Sequence, residues 1–190
     1  GQRYPEAMSE ARRPLRILQV ISSAAQSGAE RHCVDLCRHL RSRGHLVWAA
    51  VPAHSWLESE LKANEVPTLG CRFKKLGGLF ATAEVCRLIR RESIQVVHSH
   101  LSRATLQTVF SSRLSGAGHV ATVHIRSADV AYKLATRKRG RVIAVSDFIK
   151  KTLAAGGVKE EFIRVVYNGS YFGKDLPLGK GALPKDINLP

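Results

Sequence analysis

The stretch Arg16-Ile17-Leu18-Gln19-Val20-Ile21 runs into the loop Ser22-Ser23-Ala24-Ala25-Gln26-Ser27-Gly28-Ala29-Glu30 and then into Cys33, Leu36, Cys37 and Leu40. Six residues rich in branched side chains suit a strand. The apolar positions after the loop recur at helical spacing and predict a helix over 29–43. Gly44 then stops that helix, because only glycine takes the left-handed C-terminal position without steric cost. Strand, small-residue loop and amphipathic helix make the first half of a βα unit.

Working outward, the same rhythm continues. Short apolar runs predict further strands over 45–51, 66–70, 94–98, 119–124, 142–145 and 163–166. Amphipathic stretches between them predict helices over 56–64, 79–91, 102–114, 129–138 and 147–155. Strands apolar on both faces, joined by helices, imply a mostly parallel sheet covered on both sides. Right-handed crossovers make this a doubly wound, Rossmann-like α/β domain. The chain of 190 residues suits one such domain, expected over 15–172. Residues 1–7 precede Met8 and read as a vector remnant, so 1–14 are set aside. The Gly- and Pro-bearing tail over 173–190 reads as a linker towards a following domain. No run approaches the roughly 20 apolar residues of a membrane span. The basic residues before Arg16 lead into a strand rather than a signal segment, so a cytoplasmic protein is expected.

Four cysteines fit that expectation. Cys33 and Cys37 lie on the stripe shared with Leu36 and Leu40; with His32 beside them they could ligate a metal, but small buried hydrophobes are the simpler reading. The net charge of +15 predicts attraction to nucleic acid, a phospholipid surface or phosphorylated substrates. Its basic residues cluster at Arg72, Lys74 and Lys75, at Arg87, Arg90 and Arg91, and at Arg137, Lys138, Arg139 and Arg141. With 6% aromatic residues and no zinc-finger, basic-zipper or RNA-binding signature, no specific nucleic-acid partner is expected. Phe73, Leu76, Leu79 and Phe80 interleave with Arg72, Lys74 and Lys75. That pattern fits either insertion at an anionic membrane surface or aromatics packed into the core.

In a doubly wound sheet, ligands bind beyond the carboxyl ends of the strands. The loop ending Ser27-Gly28-Ala29-Glu30 is therefore a candidate anion site, since a helix N-terminus offers free N–H groups to a phosphate. It lacks the Lys-Ser/Thr pair of a P-loop and the three spaced glycines of a dinucleotide fingerprint. A plain turn capped by Ser27 is the alternative. His98 and His100 stand two apart at one strand end and His124 at another. Three imidazoles have the chemistry of a zinc site, but lining a cleft explains them without a metal. For His124 two readings stay open, a buried hydrogen-bonded histidine or a residue contacting a sugar or acceptor.

Five segments in order carry a resemblance. Ser27-Gly28-Ala29-Glu30-Arg31 resembles the Gly-Gly-Ala-Glu-Arg loop of glycosyltransferase family four, whose members have the GT-B fold. Val96-Val97-His98-Ser99-His100-Leu101 resembles that family's Asp-Val-Val-His-x-His strand end, and Thr122-Val123-His124 its Thr-x-His. Val142-Ile143-Ala144-Val145-Ser146 resembles the strand leading to a helix-capping serine. Val165-Val166-Tyr167-Asn168-Gly169 resembles the Val-Ile-Pro-Asn-Gly closing the family's N-terminal domain. Ser27 stands where the family usually has glycine, Tyr167 where it has proline, and Arg126 where a small or acidic residue is usual.

The resemblance implies the N-terminal, acceptor-side domain of a retaining glycosyltransferase of hexosyltransferase type. Its donor would be a UDP- or GDP-sugar held mainly by a second domain, with no bound metal and no cofactor. Its acceptor would be a glycan or lipid-linked sugar, as in bacterial polysaccharide or lipopolysaccharide assembly at the inner face of the membrane. Gly28 would lie near the donor diphosphate and His124 beside the transferred sugar as the catalytic residue. His98, His100, Arg126, Asn168 and Gly169 would line the cleft, and this domain alone would be inactive. The alternative from another class is a noncatalytic basic module binding an anionic membrane or nucleic acid.

Overall fold

The computed structural model describes residues 13–73, 77–127, 130–136 and 140–167. Its strands are β1 (Arg16–Ile21), β2 (Leu46–Pro52), β3 (Thr68–Cys71), β4 (Val96–His100), β5 (Gly118–Val123), β6 (Gly140–Ala144) and β7 (Ile163–Val165). They form one sheet in the order β3-β2-β1-β4-β5-β6-β7, parallel throughout. The helices are α1 (Gly28–Ser42), α2 (Trp56–Ala63), α3 (Gly77–Arg91), α4 (Ser102–Ser115), α5 (Val130–Ala135) and α6 (Asp147–Ala155). The expected α/β class and alternation are therefore present. Chain order reverses between β1 and β4, which is where a doubly wound sheet opens a crevice.

Alternate residues of each strand supply two cores. Leu18, Val20, Ala50 and Val97 pack with Ala81, Val85, Leu88 and Ala104 beneath α3 and α4. Ile21, Ala49 and Val51 pack with Ala29, Cys33, Cys37, Leu57 and Leu61 beneath α1 and α2. A third cluster joins Val109, Ala121, Val142, Leu153 and Ile163. Replacing a fully buried leucine such as Leu18 by alanine would cost about 2–5 kcal/mol.

Local chemistry sets the ends. After α1, Gly44 takes φ 83°, its N–H bonds Arg41 O at 2.8 Å and His45 N–H bonds Leu40 O at 3.1 Å. That paired arrangement closes the orphan carbonyls. At the start of β6 the backbone runs so close to α5 that a Cβ on Gly140 would lie 1.5 Å from Ala135 O.

β4 runs on to His100, two residues past the end expected at 98, and both histidines lie at its carboxyl end as expected. Phe73 belongs to the buried core, whereas Leu79 and Phe80 on α3 are 73% and 71% exposed. Of the two readings left open for these aromatics, core packing holds for Phe73 and an exposed apolar surface for Leu79 and Phe80. Lys74, Lys75, Arg137, Lys138, Arg139, Asn168 and Gly169 lie outside the described residues; Arg72 is exposed. Of the predicted basic helix over 129–138, the described part is Val130–Ala135.

Candidate functional site

The loop after β1 is tied to itself by a carboxylate. Glu30, fully buried, accepts from Ala25 N at 3.3 Å and Ser27 N at 3.0 Å, and from the Ser27 hydroxyl. Burial pushes its carboxyl up, but hydrogen bonds from Ser27, Ser23 and the backbone of Glu30 and Ala25 hold it below the usual range. Trp56 Nε1 donates to Ala24 O at 2.8 Å and so fixes the loop against α2. Ser27 has φ −87°, ordinary for serine; the left-handed position falls on Gln26 at φ 58°. Replacing the family's first glycine by Ser27 therefore brings no strain. A Cβ built on Gly28 meets nothing within 4 Å. Packing does not demand glycine there, and the backbone at the exposed start of α1 is open on that side.

The histidines converge on that same edge. Parallel register sets Gln19 beside His98, and Ile21 and Thr122 beside His100. Gln19, His98, His100 and Thr122 therefore point to the face that α1 covers. His124 follows β5 on that side, and His32 comes down from α1. His98 Nε2 pairs with Thr122 Oγ1 at 2.7 Å. Gln19 Oε1 accepts from His100 Nε2 at 2.9 Å, which leaves a lone pair on His100 Nδ1. That lone pair accepts from His124 Nε2 at 3.2 Å, while His124 Nδ1 is buried without a partner. The His98 and His100 rings stack at 4.6 Å, and His32 lies 5.0 Å from the His124 ring centre.

Burial keeps all four imidazoles neutral. It draws His98 down to about 3 and His124 down to about 4, in both cases with nearby imidazoles adding to the effect. Burial likewise lowers His100 far below the ordinary value, and lowers His32. Four uncharged rings beside a helix N-terminus can accept and donate hydrogen bonds without placing fixed positive charge in the crevice.

Just beyond His100, Leu101 takes φ 69° and ψ 157°. That region is essentially reserved for glycine, and strain of this kind gathers at functional sites. Its N–H bonds Thr122 O at 3.4 Å. Arg126 is exposed on the chain leaving His124. Of the residues singled out in the sequence, the described ones (Ser27, Gly28, Ala29, Glu30, His98, His100, His124 and Arg126) come from the loops and strand ends along this one edge. Sequence reasoning missed Gln19, which holds the His100 tautomer. It also attached His32 to the cysteines, whereas the ring joins His100 and His124. The signal for both was face parity: Gln19 is the polar interruption of an apolar strand, and His32 lies one turn after Gly28. Cys33 and Cys37 are buried and free, the Cys33 thiol pushed well up by its hydrogen bond to Cys37 and by burial.

The sequence model of glycosyltransferase family 4 matches residues 26–170, most of the chain. The chain belongs to this family. Anabaena Alr3699/HepE, solved with UDP, superposes with a TM-score of 0.71 at 22% identity over 82% of this chain and 44% of its own. The Rickettsia africae glycosyltransferase gives 0.69 at 19% identity, over 83% of this chain and 44% of its own. WaaB, a lipopolysaccharide outer core galactosyltransferase, gives 0.60 at 16% identity, covering 83% and 47%. At these identities the likeness is one of fold, and this family 4 chain spans less than half the length of each. No curated protein sequence matches it.

Proposed function

We propose that this domain is the acceptor-side half of a retaining hexosyltransferase, which passes a sugar from a UDP- or GDP-sugar to a glycan or lipid-linked acceptor across a cleft. The observation that carries the reading is convergence: the open N-terminus of α1 at Gly28 and the His100–His124 pair share one sheet edge. Membership of glycosyltransferase family 4 supports it, as do fold relatives solved with UDP and with UDP-glucose.

Transfer leaves negative charge on the departing diphosphate. Backbone N–H groups of Gly28 and Ala29, backed by the α1 dipole, would meet that charge at no cost in reorganisation. Glu30 would hold the loop in shape from behind, with its own charge spent on Ala25 and Ser27. His124, neutral and oriented by His100 and Gln19, would sit beside the transferred sugar, with His98 and His100 behind it. Asn168 and Gly169 would lead into the donor-binding domain, and Arg126 would line the cleft. The transfer step needs no metal or cofactor in this scheme.

For a lipid-linked acceptor, the α3–α4 surface supplies the docking face. Leu79, Phe80, Phe110 and Leu114 are at least half exposed there, beside exposed Arg87, Arg90 and Arg91. Each basic residue near an anionic leaflet contributes about 1 kcal/mol, so reversible attachment would need no span. Among the described residues no helix is long and apolar enough to cross a membrane. The same face favours the second reading, a noncatalytic basic module on anionic surfaces.

One assay tests both the division between domains and the docking face. With UDP-glucose and an acceptor extract, the chain alone should release no UDP, while sedimenting with anionic but not neutral vesicles. UDP release by this chain alone would contradict the division between two domains. Equal sedimentation with neutral vesicles would contradict the docking face.

A further inference from the structure

His32, His100 and His124 each offer a ring nitrogen, and these three atoms lie within 4.8 Å of one another. The ring centres are 5.0 Å apart for His32 and His124, 5.5 Å for His100 and His124, and 5.8 Å for His32 and His100. Three imidazoles on one tetrahedral zinc, with Zn–N of about 2.0–2.1 Å, place their ring centres about 5 Å apart. The same geometry sets neighbouring ligand nitrogens about 3.4 Å apart. His100 Nδ1 and His124 Nε2 are already 3.2 Å apart, a single hydrogen between them. From this geometry we infer that His32, His100 and His124 form a three-histidine site for a borderline divalent transition metal, zinc above all, with its fourth position open to the crevice.

The surroundings are those of a ligand set. Gln19 Oε1 accepts from the far nitrogen of His100, which fixes the ring and leaves Nδ1 as the free donor atom, the usual outer-shell support of a ligating histidine. His98 lies outside this group of converging nitrogens, and its Nε2 pairs with Thr122. On binding, the metal takes the place of the hydrogen between His100 and His124, and the proton moves to His124 Nδ1, which has no partner to lose. His32 closes the set by a turn of its half-buried side chain on α1. Soft thiolates do not compete from within the set: Cys33 and Cys37 are buried beneath α1. The inference stands apart from the transferase reading, since it concerns these side chains alone. If both hold, metal and sugar substrate compete for His124.

The test is titration of the metal-stripped chain with Zn2+ against a chromophoric chelator, and with Co2+ followed by visible absorption. One equivalent should bind with micromolar or tighter affinity, and Co2+ should give the intense bands of four-coordinate nitrogen ligation without a thiolate charge-transfer band. His32→Ala and His124→Ala should each weaken binding more than 10-fold with unchanged far-UV dichroism, and Gln19→Ala should weaken it about 10–100-fold. Cys33→Ser should bind as the parent does. X-ray absorption of the zinc-loaded parent, which needs no variant, should show three imidazole ligands. No stoichiometric binding, a thiolate band, or affinity unchanged in both histidine variants would overturn the site.

Discussion

His119 and His124 flank the same strand and meet opposite fates. His119, near the start of β5, faces α4, where its Nε2 lies 3.0 Å from Thr108 Oγ1 and 3.3 Å from Ser99 Oγ. Ser99 in turn pairs with Thr105 at 3.0 Å, so the group is a hydroxyl network sealed beneath a helix. His124, past the carboxyl end of β5, faces the side of α1, and its network of His100, Gln19 and His32 comes out at an open edge. Both rings are neutral because both are desolvated, each drawn down to about 4. The same residue type on the same strand thus serves packing on one face and remains available to a ligand on the other. Which role it takes follows from what covers it.

The largest expected effect tests availability. In a polypeptide carrying this domain together with a donor-binding domain, His124→Ala should lower kcat about 10³-fold and leave the melting temperature nearly unchanged, read by product formation and calorimetry. A matching fall in stability would make His124 a second His119.

The next effect tests the sealed face by pH. The unfolded chain protonates His119 at about 6.5, and the folded chain only at about 4. Between those values the unfolded state holds the extra proton. The His119 contribution is therefore complete above about 6.5 and is lost as pH falls towards 4, about 3 kcal/mol in all. Urea unfolding at stepped pH should show this slope, and His119→Gln should flatten it relative to the parent.

Two smaller effects sharpen the picture of the open edge. Glu30→Ala leaves the amides of Ala25 and Ser27 without their acceptor and should cost about 2 kcal/mol in urea unfolding. Ser27→Ala removes only one hydroxyl contact at the start of α1 and should cost about 1 kcal/mol.

Much of this was legible in the sequence, for physical reasons. All seven strands and six helices follow from runs of branched residues and from helical spacing, as with Cys33 and Cys37 on the buried side of α1. Boundaries shifted by up to three residues, most usefully at His100, whose partners lie on β1 and β5 and exert no pull visible along the chain. Phe73 and Phe80 read alike in sequence, yet one fills the core and the other faces solvent, because the helix between them begins only at Gly77. The inner face of α4 is mostly hydroxyl, with Thr105, Thr108, Ser111 and Ser112 buried beside only Ala104 and Val109, so its apolar stripe is thin. Nothing in Leu101 announces a left-handed backbone. Gln19 and His32 escaped notice because their meaning lies in contacts between elements far apart in the chain.

The most direct test of the open edge is two-dimensional NMR of the labelled chain titrated with UDP-glucose at millimolar concentration. The account predicts shifts at the amides of Gly28 and Ala29 and at the rings of His100 and His124, with His119 silent. Shifts confined to His119 or to the α3–α4 surface, or none at the edge, would contradict it.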